Sequence, residues 1–426
     1  MKSPLSRRSF LRGSTAAAAV PLVAREVSAS SLPAETLKVG LVGCGGRGTG
    51  AALQALKADE NTVLWALADA FEDKLENCRA HVTKSMGEAT DRVQATPERS
   101  FVGIDAFEKL IASDVDVVLL ATPPHFRPQH LAAALKAKKH VFCEKPVAVD
   151  APGIRSVMES IELAKREKLG LVSGFCWRYR YSHRETWKRV LDGTIGDVQT
   201  VYTNYNTSQL GTVARQEGQS DLEWHLRNWK HVLWLCGDHL VEQAVHSLDK
   251  QAWSFGDQAP ASCTAVGGRI ARTGEDSGNI YDHFGLTYDY ADGAKAFHMA
   301  RQINGCTDDN SDFVWGTKGN VSVNGWAGRY LISGENPWIY EGPGNDMYQQ
   351  EHDELFAAIR AGEPFVDDWM AKSTMLAIMG RMATYTGQTI TWEQAINSEE
   401  RLGPDGYDWG ACSIREVPVP GKTRFV

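Results

Sequence analysis

The chain has 426 residues, of which 43% are hydrophobic and 23% are charged, values typical of a soluble globular protein. This length favours two domains, because a single hydrophobic core rarely grows beyond about 250–300 residues. The formal net charge of −8 and the lack of a basic run exclude the pattern of a nucleic-acid-binding protein, so no nucleic acid partner is predicted.

The first 30 residues are predicted to be an export signal and no part of the fold. Residues 6–12 (SRRSFLR) carry a twin-arginine pattern, an apolar run follows over residues 16–24, and Val27-Ser28-Ala29 is similar to a cleavage site. The run is too short to span a bilayer stably, so no membrane span is expected. An ordinary disordered N-terminus is the alternative. Because twin-arginine export moves folded proteins, the pattern favours a periplasmic protein whose cofactor is inserted in the cytoplasm.

Strands and helices alternate from residue 37 to residue 175, which is typical of a doubly wound parallel sheet. The predicted strands are residues 37–42, 61–68, 116–121, 140–143 and 169–175, and the predicted helices are residues 49–58, 71–86, 107–112, 129–137 and 152–167. The strand at 116–121 (DVVLLA) is almost wholly apolar, as in the middle of a parallel sheet. We therefore predict an α/β Rossmann domain over residues 36–150, closed by residues 151–175.

Longer alternating segments replace this pattern after about residue 195. Predicted strands are residues 198–205, 261–270, 283–290 and 294–302, and predicted helices are residues 348–361, 372–386 and 392–397. The dipeptides Asp292-Gly293 and Asn324-Gly325 are typical of hairpins, and Thr391 suits the N-cap of the last helix. These features indicate a second, α+β domain over residues 176–398 with a large, mainly antiparallel sheet, followed by an irregular segment at 399–426.

A glycine-rich motif directly follows the first predicted strand. Residues 43–48 (GCGGRG) fit G-x-G-x-x-G in the order strand, turn and helix that this motif requires. Gly43 allows the tight turn, Gly45 lets the backbone approach a pyrophosphate, and Gly48 lets helix and strand pack closely. The helix N-terminus offers unpaired N–H groups to the phosphates, so Gly46 and Arg47 are also predicted cofactor contacts.

Polar residues at other strand ends are predicted to complete the cofactor site. Asp69 lies 21 residues beyond Gly48, where a carboxylate would bind the adenosine ribose hydroxyls and favour NAD over NADP. Ligands lie past the carboxyl ends of parallel strands, so residues that follow the strands should converge there. The remaining predicted cofactor contacts are Thr122, Pro123, His125, Glu144, Lys145 and Arg178. A structural glycine turn with an incidental aspartate is the alternative.

Two groups are candidates for proton transfer. Lys145, at the base of a nicotinamide crevice, can exchange a proton with the hydroxyl that is oxidised, and a surface lysine in a turn is the alternative. Residues 237–249 are predicted to form one helix, on which Glu242 and His246 share a face because they are four residues apart. A carboxylate beside an imidazole suits proton transfer at a sugar hydroxyl. No third metal ligand is evident, so no metal is predicted.

Aromatic faces stack on sugar rings, and arginine and asparagine bond sugar hydroxyls, so residues of these types are candidates for substrate contacts. The predicted substrate contacts are Lys145, Trp177, Tyr179, Arg227, Asn228, Glu242 and His246. Core packing is the alternative for most of the 13 tryptophans. The eight cysteines lack metal-ligand spacing and are predicted to be free, mostly buried thiols, because folding in a reducing cytoplasm disfavours disulfides.

Taken together, these residues resemble the Gfo/Idh/MocA family of dehydrogenases (glucose–fructose oxidoreductase, inositol dehydrogenase and relatives). The resembling segments are VGLVGCGGRG (39–48), Asp69, ATPPH (121–125), HVFCEKPVAVD (140–150), IGDV (195–198) and EQAVHSLD (242–249). The resemblance covers nearly all of residues 36–398 and implies catalytic positions for Lys145 and His246. The family's usual aspartate is Glu242 here, and only Arg178 remains of its frequent N-R-R-F motif. It also implies a homo-oligomer, a dimer or tetramer, formed through the antiparallel sheet.

The function implied by the resemblance must suit an exported protein, because free NAD(H) is not maintained outside the cytoplasmic membrane. We expect NAD to be loaded before export and held tightly, with hydride moving to and from a sugar, sugar derivative or cyclitol, and with regeneration by a second sugar or an external acceptor. An NAD-dependent glycosidase of the N-acetylgalactosaminidase type, which works by transient oxidation at C3 and elimination, is the alternative. A non-catalytic sugar or NAD sensor is a lesser alternative.

Overall fold

The structure, a computed structural model, describes residues 35–404, 406–407, 409–410 and 412–426. The predicted export signal lies outside the described residues. The first part of the described chain alternates strands with helices, as predicted. Its elements are β1 (Leu37–Val42), α1 (Gly46–Ala58), β2 (Thr62–Asp69), α2 (Glu72–Met86), β3 (Ser100–Val102), α3 (Ala106–Ile111), β4 (Val117–Leu120), α4 (Arg127–Lys136), β5 (His140–Cys143), α5 (Ala151–Glu167) and β6 (Leu171–Ser173).

These six strands form one parallel sheet in the order β3-β2-β1-β4-β5-β6, which confirms the predicted Rossmann architecture. The sheet is buried on both faces. In β4, Val117 and Leu119 belong to one apolar core and Val118 and Leu120 belong to the other, which is why this strand is apolar throughout. The strand order reverses between β1 and β4, and the carboxyl ends of the strands at such a point form a ligand crevice.

The second part of the chain begins with short helices and continues as a large sheet. Its elements are α6 (Tyr181–Leu191), β7 (Val198–Thr207), α7 (Asp221–Arg227), α8 (Leu233–Cys236), α9 (His239–Glu242), α10 (Val245–Ser254), β8 (Ser262–Gly268), β9 (His283–Asp289), β10 (Lys295–Gln302), β11 (Ser311–Gly316), β12 (Gly319–Asn324), β13 (Arg329–Gly334), β14 (Trp338–Ile339), α11 (Met347–Ala361), α12 (Met370–Thr386), β15 (Ile390–Thr391) and α13 (Trp392–Asn397). Thr391 caps α13 in a capping box, as predicted.

The nine strands of the second part form a sheet in the order β14-β13-β12-β11-β7-β10-β9-β8-β15. The paired neighbours are antiparallel except β7 and β10, which run parallel, so the predicted mainly antiparallel sheet is confirmed. The sheet is amphipathic: along β10, Ala296, His298 and Ala300 are buried, whereas Phe297 and Met299 face outward. Helices α10 and α12 cover the buried face.

The prediction of one continuous helix over residues 237–249 is wrong. The segment forms two helices, α9 and α10, separated by a turn at residues 243–244. In a continuous helix the carbonyl of Glu242 would accept the N–H of His246. Here Lys145 Nζ donates to that carbonyl at 2.5 Å, and the N–H of His246 donates to Gln243 O at 3.2 Å instead. A tertiary hydrogen bond therefore breaks the helix between the two candidate catalytic residues.

Residues 36–426 form one compact unit. Helix α11 returns from the second sheet to pack on α1, and Arg360 near its end forms an ion pair with Asp59 at 2.7 Å. All eight cysteines are free thiols and six of them are buried, as predicted. Among the helices that the structure describes, none combines the length and apolar character that crossing a bilayer requires.

Candidate functional site

The glycine loop between β1 and α1 has the shape of a phosphate cradle. Gly43 has a φ of +98°, and a Cβ there would lie 2.6 Å from the backbone N of Thr122; a Cβ on Gly48 would lie 1.9 Å from Gly43 O. Cβ atoms on Gly45 or Gly46, in contrast, would meet no described atom within 4 Å. Helix α1 begins with neither an acidic residue in its first turn nor a capping side chain, so its N–H groups face this open space. The loop therefore fits a dinucleotide pyrophosphate.

Asp69, at the end of β2, lies beside this loop. Its Oδ2 accepts the backbone N–H of Cys44 at 2.6 Å, and its Oδ1 accepts that of Phe71 at 3.0 Å. Burial raises the pKa of the carboxyl, and these two N–H groups oppose the shift. Each carboxylate oxygen keeps a second lone pair for a ribose hydroxyl. The residue thus holds the loop in position and remains able to bind ribose.

A cleft of about 340 Å³ lies over the loop and Asp69. From the Rossmann sheet its lining includes Gly43, Gly45, Gly46, Asp69, Phe71, Lys74, Ile104, Phe107, Thr122, Pro123, Phe126 and His130. From the second part of the chain its lining includes Gly211, Val213, Leu226, Arg227, Asn228, Trp229, Lys230 and His231. A glycine loop and an acidic residue in one cleft are the arrangement that Rossmann folds use for the adenosine and pyrophosphate of a dinucleotide, so this space is called the adenosine cleft below. Arg227 and Asn228, predicted to contact substrate, lie here.

Lys145, Glu242 and His246 come together at a second point, outside the lining of the adenosine cleft. Lys145 Nζ lies 2.5 Å from the backbone oxygen of Glu242 and 3.7 Å from its Oε1, and the two side chains are only 13% and 12% exposed. Burial lowers the pKa of His246 well below its usual value, and the charge of Lys145 lowers it further. The arrangement places the side chains of Lys145 and Glu242 in contact in a largely buried site, within electrostatic reach of a neutral imidazole, which suits proton transfer.

The partly exposed Arg47 and the buried Glu144 form an ion pair between the glycine loop and Lys145. Arg47 Nε is bonded to Glu144 Oε1, and Arg47 Nη2 lies 3.0 Å from Glu351. Burial opposes ionisation of Glu144, but Arg47 and Arg127 outweigh it, so its pKa is lowered. Glu144 Oε2 in turn accepts the backbone N–H of Lys145 at 3.0 Å. The predicted cofactor contacts Arg47 and Glu144 therefore connect the glycine loop to Lys145 and do not line the adenosine cleft.

Arg178 and Tyr179, predicted to contact the cofactor and the substrate, form hydrogen bonds within the protein. Arg178 is 6% exposed, and its guanidinium binds Asp249 at 2.9 Å and Asp257 at 3.0 Å. Tyr179 is buried, and its hydroxyl donates to Asp367 at 2.7 Å. Both side chains are hydrogen-bonded to carboxylates of the protein, of which Asp249 and Asp367 are buried and Asp257 is partly exposed, and neither residue lines the cleft.

Trp177, predicted to contact substrate, and His125, predicted to contact the cofactor, also contact other side chains of the protein. Trp177 is buried with its ring centroid 4.7 Å from that of His183. His125 does not line the cleft: its Nε2 lies 2.7 Å from Tyr407 Oη, and burial lowers its pKa to about 4. The neutral imidazole accordingly joins the end of β4 to the C-terminal segment.

Tyr205 and His239 are near the catalytic group and were not predicted. Burial lowers the pKa of His239 to about 3, and both of its ring nitrogens are buried without a partner among the described residues. The ring of Tyr205 lies 6.0 Å from that of His239, and its pKa is raised by burial and by the charge of Glu242. His239 lies three residues before Glu242, and this helical spacing from a predicted site residue could have identified it. Tyr205 lies in β7, and no local sequence pattern distinguishes it from other strand residues.

A chain of hydrogen bonds connects the adenosine cleft with the catalytic segment. His231 Nδ1, in the cleft wall, lies 2.8 Å from Arg272 Nη1, and Arg272 Nη2 donates to Gln302 Oε1. Gln302 Nε2 then donates to Gln243 Oε1 at 2.6 Å, in the turn between α9 and α10. No group of three metal-ligating side chains occurs within the described residues.

Comparison with known proteins agrees with this picture. Residues 37–175 match the model of GFO_IDH_MocA, an oxidoreductase family with an NAD-binding Rossmann fold, and residues 4–24 match a twin-arginine translocation signal. The 2,7-anhydro-N-acetylneuraminate hydratase of Escherichia coli is 26% identical over 53% of this chain and 56% of its own length. The chain spans about half the length of this and two further curated relatives. The inositol 2-dehydrogenase of Rhizobium meliloti is 23% identical over 88% of this chain and 92% of its length.

Solved structures show the same fold over most of the described chain. The structure of aldose-aldose oxidoreductase from Caulobacter crescentus, complexed with glycerol, is similar with a TM-score of 0.63 and 22% identity, over 84% of this chain and all of that one. Identity at this level supports the two-sheet architecture alone. The matched signal sequence implies export by the twin-arginine pathway.

Proposed function

We propose that this chain, which belongs to the Gfo/Idh/MocA oxidoreductase family, is an exported NAD-dependent oxidoreductase acting on a sugar, sugar derivative or cyclitol. The observation that carries the proposal is the contact between Lys145 and Glu242, within electrostatic reach of His246, in a chain whose glycine loop fits a dinucleotide. When bound, NAD would accept a hydride from a carbinol carbon and later return it. The chain itself must supply proton transfer, orientation and a dry site.

Lys145 is the proposed acid/base for the hydroxyl that becomes a carbonyl. Its side-chain nitrogen donates to Glu242 O at 2.5 Å, so its position is set before substrate binds. As the neutral amine it would accept the hydroxyl proton when the substrate is oxidised, and as the ammonium it would return a proton when a carbonyl is reduced. His246 is held neutral by burial and by the charge of Lys145, so its imidazole is proposed to assist Lys145 by hydrogen bonding to the same hydroxyl. Glu242 is proposed to orient the sugar by accepting hydroxyl hydrogen bonds. The longer side chain replaces the aspartate usual in the family.

The proposed cofactor is NAD, held tightly through export into the periplasm. The Asp69 carboxylate would bind both ribose hydroxyls and repel a 2′-phosphate, which supports NAD over NADP. The twin-arginine signal supports cofactor loading in the cytoplasm, because the protein then crosses the membrane folded. Tight retention follows from the lack of a free NAD(H) pool outside.

The test is to purify the exported form without added nucleotide, denature it and quantify the dinucleotide released. About one NAD(H) per chain is expected from a cofactor that recycles in place. A panel of sugars and cyclitols added to the intact protein should then change the nicotinamide absorbance. A protein that binds dinucleotide weakly, or whose bound cofactor no sugar reduces or oxidises, would refute the proposal.

A redox-neutral enzyme is the second candidate, and the Escherichia coli relative favours it because a hydratase performs no net oxidation. In such an enzyme, oxidation at C3 of a sugar acidifies the C2 proton, loss of that proton expels the leaving group from C1, water adds across the C1=C2 double bond, and reduction at C3 restores the sugar. The same side chains would serve, with Lys145 acting at the C3 hydroxyl and the neutral His246 assisting at C2. Release of the aglycone from an aryl glycoside without an added acceptor would distinguish this candidate from net oxidation.

The predicted dimer or tetramer also belongs to the proposal. The outer face of the large sheet exposes apolar side chains, with Val266, Met299 and Trp315 exposed to 75%, 51% and 41%. Exposed apolar patches of this kind mark association surfaces. Sedimentation of the purified protein should give a species larger than the monomer, and Met299→Lys should shift it toward the monomer.

A further inference from the structure

We propose that residues 211–231, joined by Tyr407 and Trp409 of the C-terminal segment, form a clasp that closes over the adenosine half of the cofactor cleft and slows cofactor release. The inference rests on the proposed function, since it explains how an exported oxidoreductase would keep its dinucleotide. The clasp contributes Gly211, Val213 and residues 226–231 to the lining of the cleft. The opposite side comes from the Rossmann sheet, so the cofactor would lie between two separately anchored walls.

Arg227 fastens the clasp to the Rossmann side of the cleft. Its Nη2 lies 3.1 Å and its Nη1 3.3 Å from the two carboxylate oxygens of Asp73, in the first turn of α2. Its guanidinium also lies 4.0 Å from the ring centroid of Phe71, which lines the cleft. Glu223, one turn earlier on α7, orients it at 2.9 Å. These contacts join the two walls directly at the cleft rim.

The C-terminal segment forms the second fastening. Tyr407 Oη lies 2.7 Å from His125 Nε2, which follows the cleft residues Thr122 and Pro123. Trp409 contacts the ring of Phe71 at a centroid distance of 5.9 Å. The backbone N–H of Cys412 donates to Asp221 Oδ2 at 3.1 Å, which connects this segment to the start of α7. The two fastenings therefore both contact Phe71, and the bond from Cys412 to Asp221 connects them.

Internal hydrogen bonds make the clasp one unit. Asn228 Oδ1 accepts the N–H of Val213 at 2.9 Å, and Trp224 Nε1 donates to Val213 O at 3.0 Å. His231 Nε2 lies 3.1 Å from Gly211 O. Because residues 211–213 are hydrogen-bonded to residues 224–231, the whole clasp must move as one unit when the cleft opens.

The clasp changes the rate at which the cofactor dissociates more than it changes the equilibrium affinity for the cofactor. A bound cofactor leaves only after the rim contacts separate, so the population of the open state sets the dissociation rate. Each fastening is modest, because a partly exposed ion pair and a cation–aromatic contact are individually weak. Arg227 is 26% exposed and Asp73 48%, so salt should weaken their pairing.

The test measures cofactor exchange in the purified holoprotein. The protein is incubated with a large excess of isotopically labelled NAD, and the unlabelled dinucleotide still bound is quantified by mass spectrometry at successive times. Arg227→Gln and Asp73→Asn should each release NAD about fivefold faster than the wild type, from the loss of one ion pair with its ring contact. The double variant should be no faster than Arg227→Gln, because both changes remove the same contact.

Arg189→Gln is the matched control. Arg189 forms an ion pair with Glu185, one turn away on α6, at 2.6 Å and lies 4.1 Å from the ring centroid of Trp338, so it has the same kinds of contact far from the cleft. The rate at which Arg189→Gln releases NAD should equal that of the wild type. Trp409→Ala tests the second fastening and should also accelerate release. Raising the ionic strength should accelerate release from the wild type and leave Arg227→Gln nearly unchanged.

The outcomes separate the clasp from the proposed function. A wild type that binds no dinucleotide overturns both. A wild type that holds NAD while Arg227→Gln, Asp73→Asn and Trp409→Ala release it at the wild-type rate overturns the clasp alone. Equal acceleration by Arg189→Gln also overturns it, because the effect would then be a general loss of stability.

Discussion

Two glycine substitutions in one loop should separate folding from cofactor binding. Gly48→Ala places a Cβ 1.9 Å from Gly43 O, a backbone atom that cannot move away without disturbing the turn. Overpacking of this kind costs about 3 kcal/mol or more, well above the gain of at most about 1 kcal/mol from replacing glycine by alanine in a helix. We expect Gly48→Ala to be clearly destabilised and to bind NAD poorly.

Gly45→Ala should behave differently. Gly45 has φ −71° and ψ −177°, which alanine adopts freely, and its Cβ would meet no described atom within 4 Å. The change in the free energy of unfolding should be only about 0.5 kcal/mol, from the poorer N-cap. The new methyl group, however, would enter the space that the pyrophosphate requires. Affinity for NADH should fall about 10-fold to 100-fold, the cost of a steric clash with a ligand.

The assay has two measurements on each protein stripped of nucleotide. Urea denaturation reports stability, and a fluorescence titration with NADH reports affinity. Wild-type affinity in Gly45→Ala would refute the approach of a pyrophosphate to this loop. Unchanged denaturation in Gly48→Ala would refute the close packing of α1 on the turn. Equal loss of both properties in both variants would show that the loop acts only in folding.

Three further predictions concern the catalytic group, the cofactor and a buried carboxyl. Lys145→Met should slow sugar-driven reduction of bound NAD by about 100-fold to 10,000-fold, in stopped-flow absorbance measurements, while the NAD content stays unchanged; a normal rate would exclude Lys145 as the acid/base. Asp69→Asn should raise the affinity for NADP relative to NAD about tenfold in competitive titrations, because the charge that repels a 2′-phosphate is lost, and an unchanged ratio would contradict this role. Burial raises the pKa of Asp367 to about 7, so between its unfolded value and pH 7 the folded state binds more protons and the free energy of unfolding falls as pH rises. Urea denaturation should therefore show Asp367→Asn gaining about 2–3 kcal/mol on the wild type between pH 5 and pH 8, and parallel pH profiles would contradict the raised pKa.

Much of the fold was predictable because its signals are local. The strand at His140–Cys143 and the helix at Trp392–Asn397 were predicted with the residues that the structure shows, and most other elements of the Rossmann part differ by one or two residues. An apolar run, a glycine turn and an N-cap threonine each act within a few residues of themselves. The parallel direction of the strands in the first sheet follows from the same alternation, whereas their order is given by the structure.

The site was predictable only in part. The glycine loop, Asp69 and the group of Lys145, Glu242 and His246 were named in advance because each belongs to a short motif. Arg178 has the residue type expected at the site, yet its guanidinium is paired with the carboxylates of Asp249 and Asp257. Residue type alone did not distinguish a ligand contact from a structural contact, since partners distant in sequence decide which one forms.

The sequence by itself determined the Rossmann architecture, the mainly antiparallel second sheet and the cofactor loop, because periodicity and turn residues express short-range steric and hydrophobic requirements. Tertiary structure alone decided the break between α9 and α10. There the carbonyl of Glu242 accepts a hydrogen bond from Lys145, which is 97 residues away along the chain. It also decided that Arg227 lies against Asp73 and Phe71 at the cofactor cleft, at a separation of 154 residues. A hydrogen bond or ion pair between distant residues leaves no local pattern, because its energy depends on the folded positions of both partners.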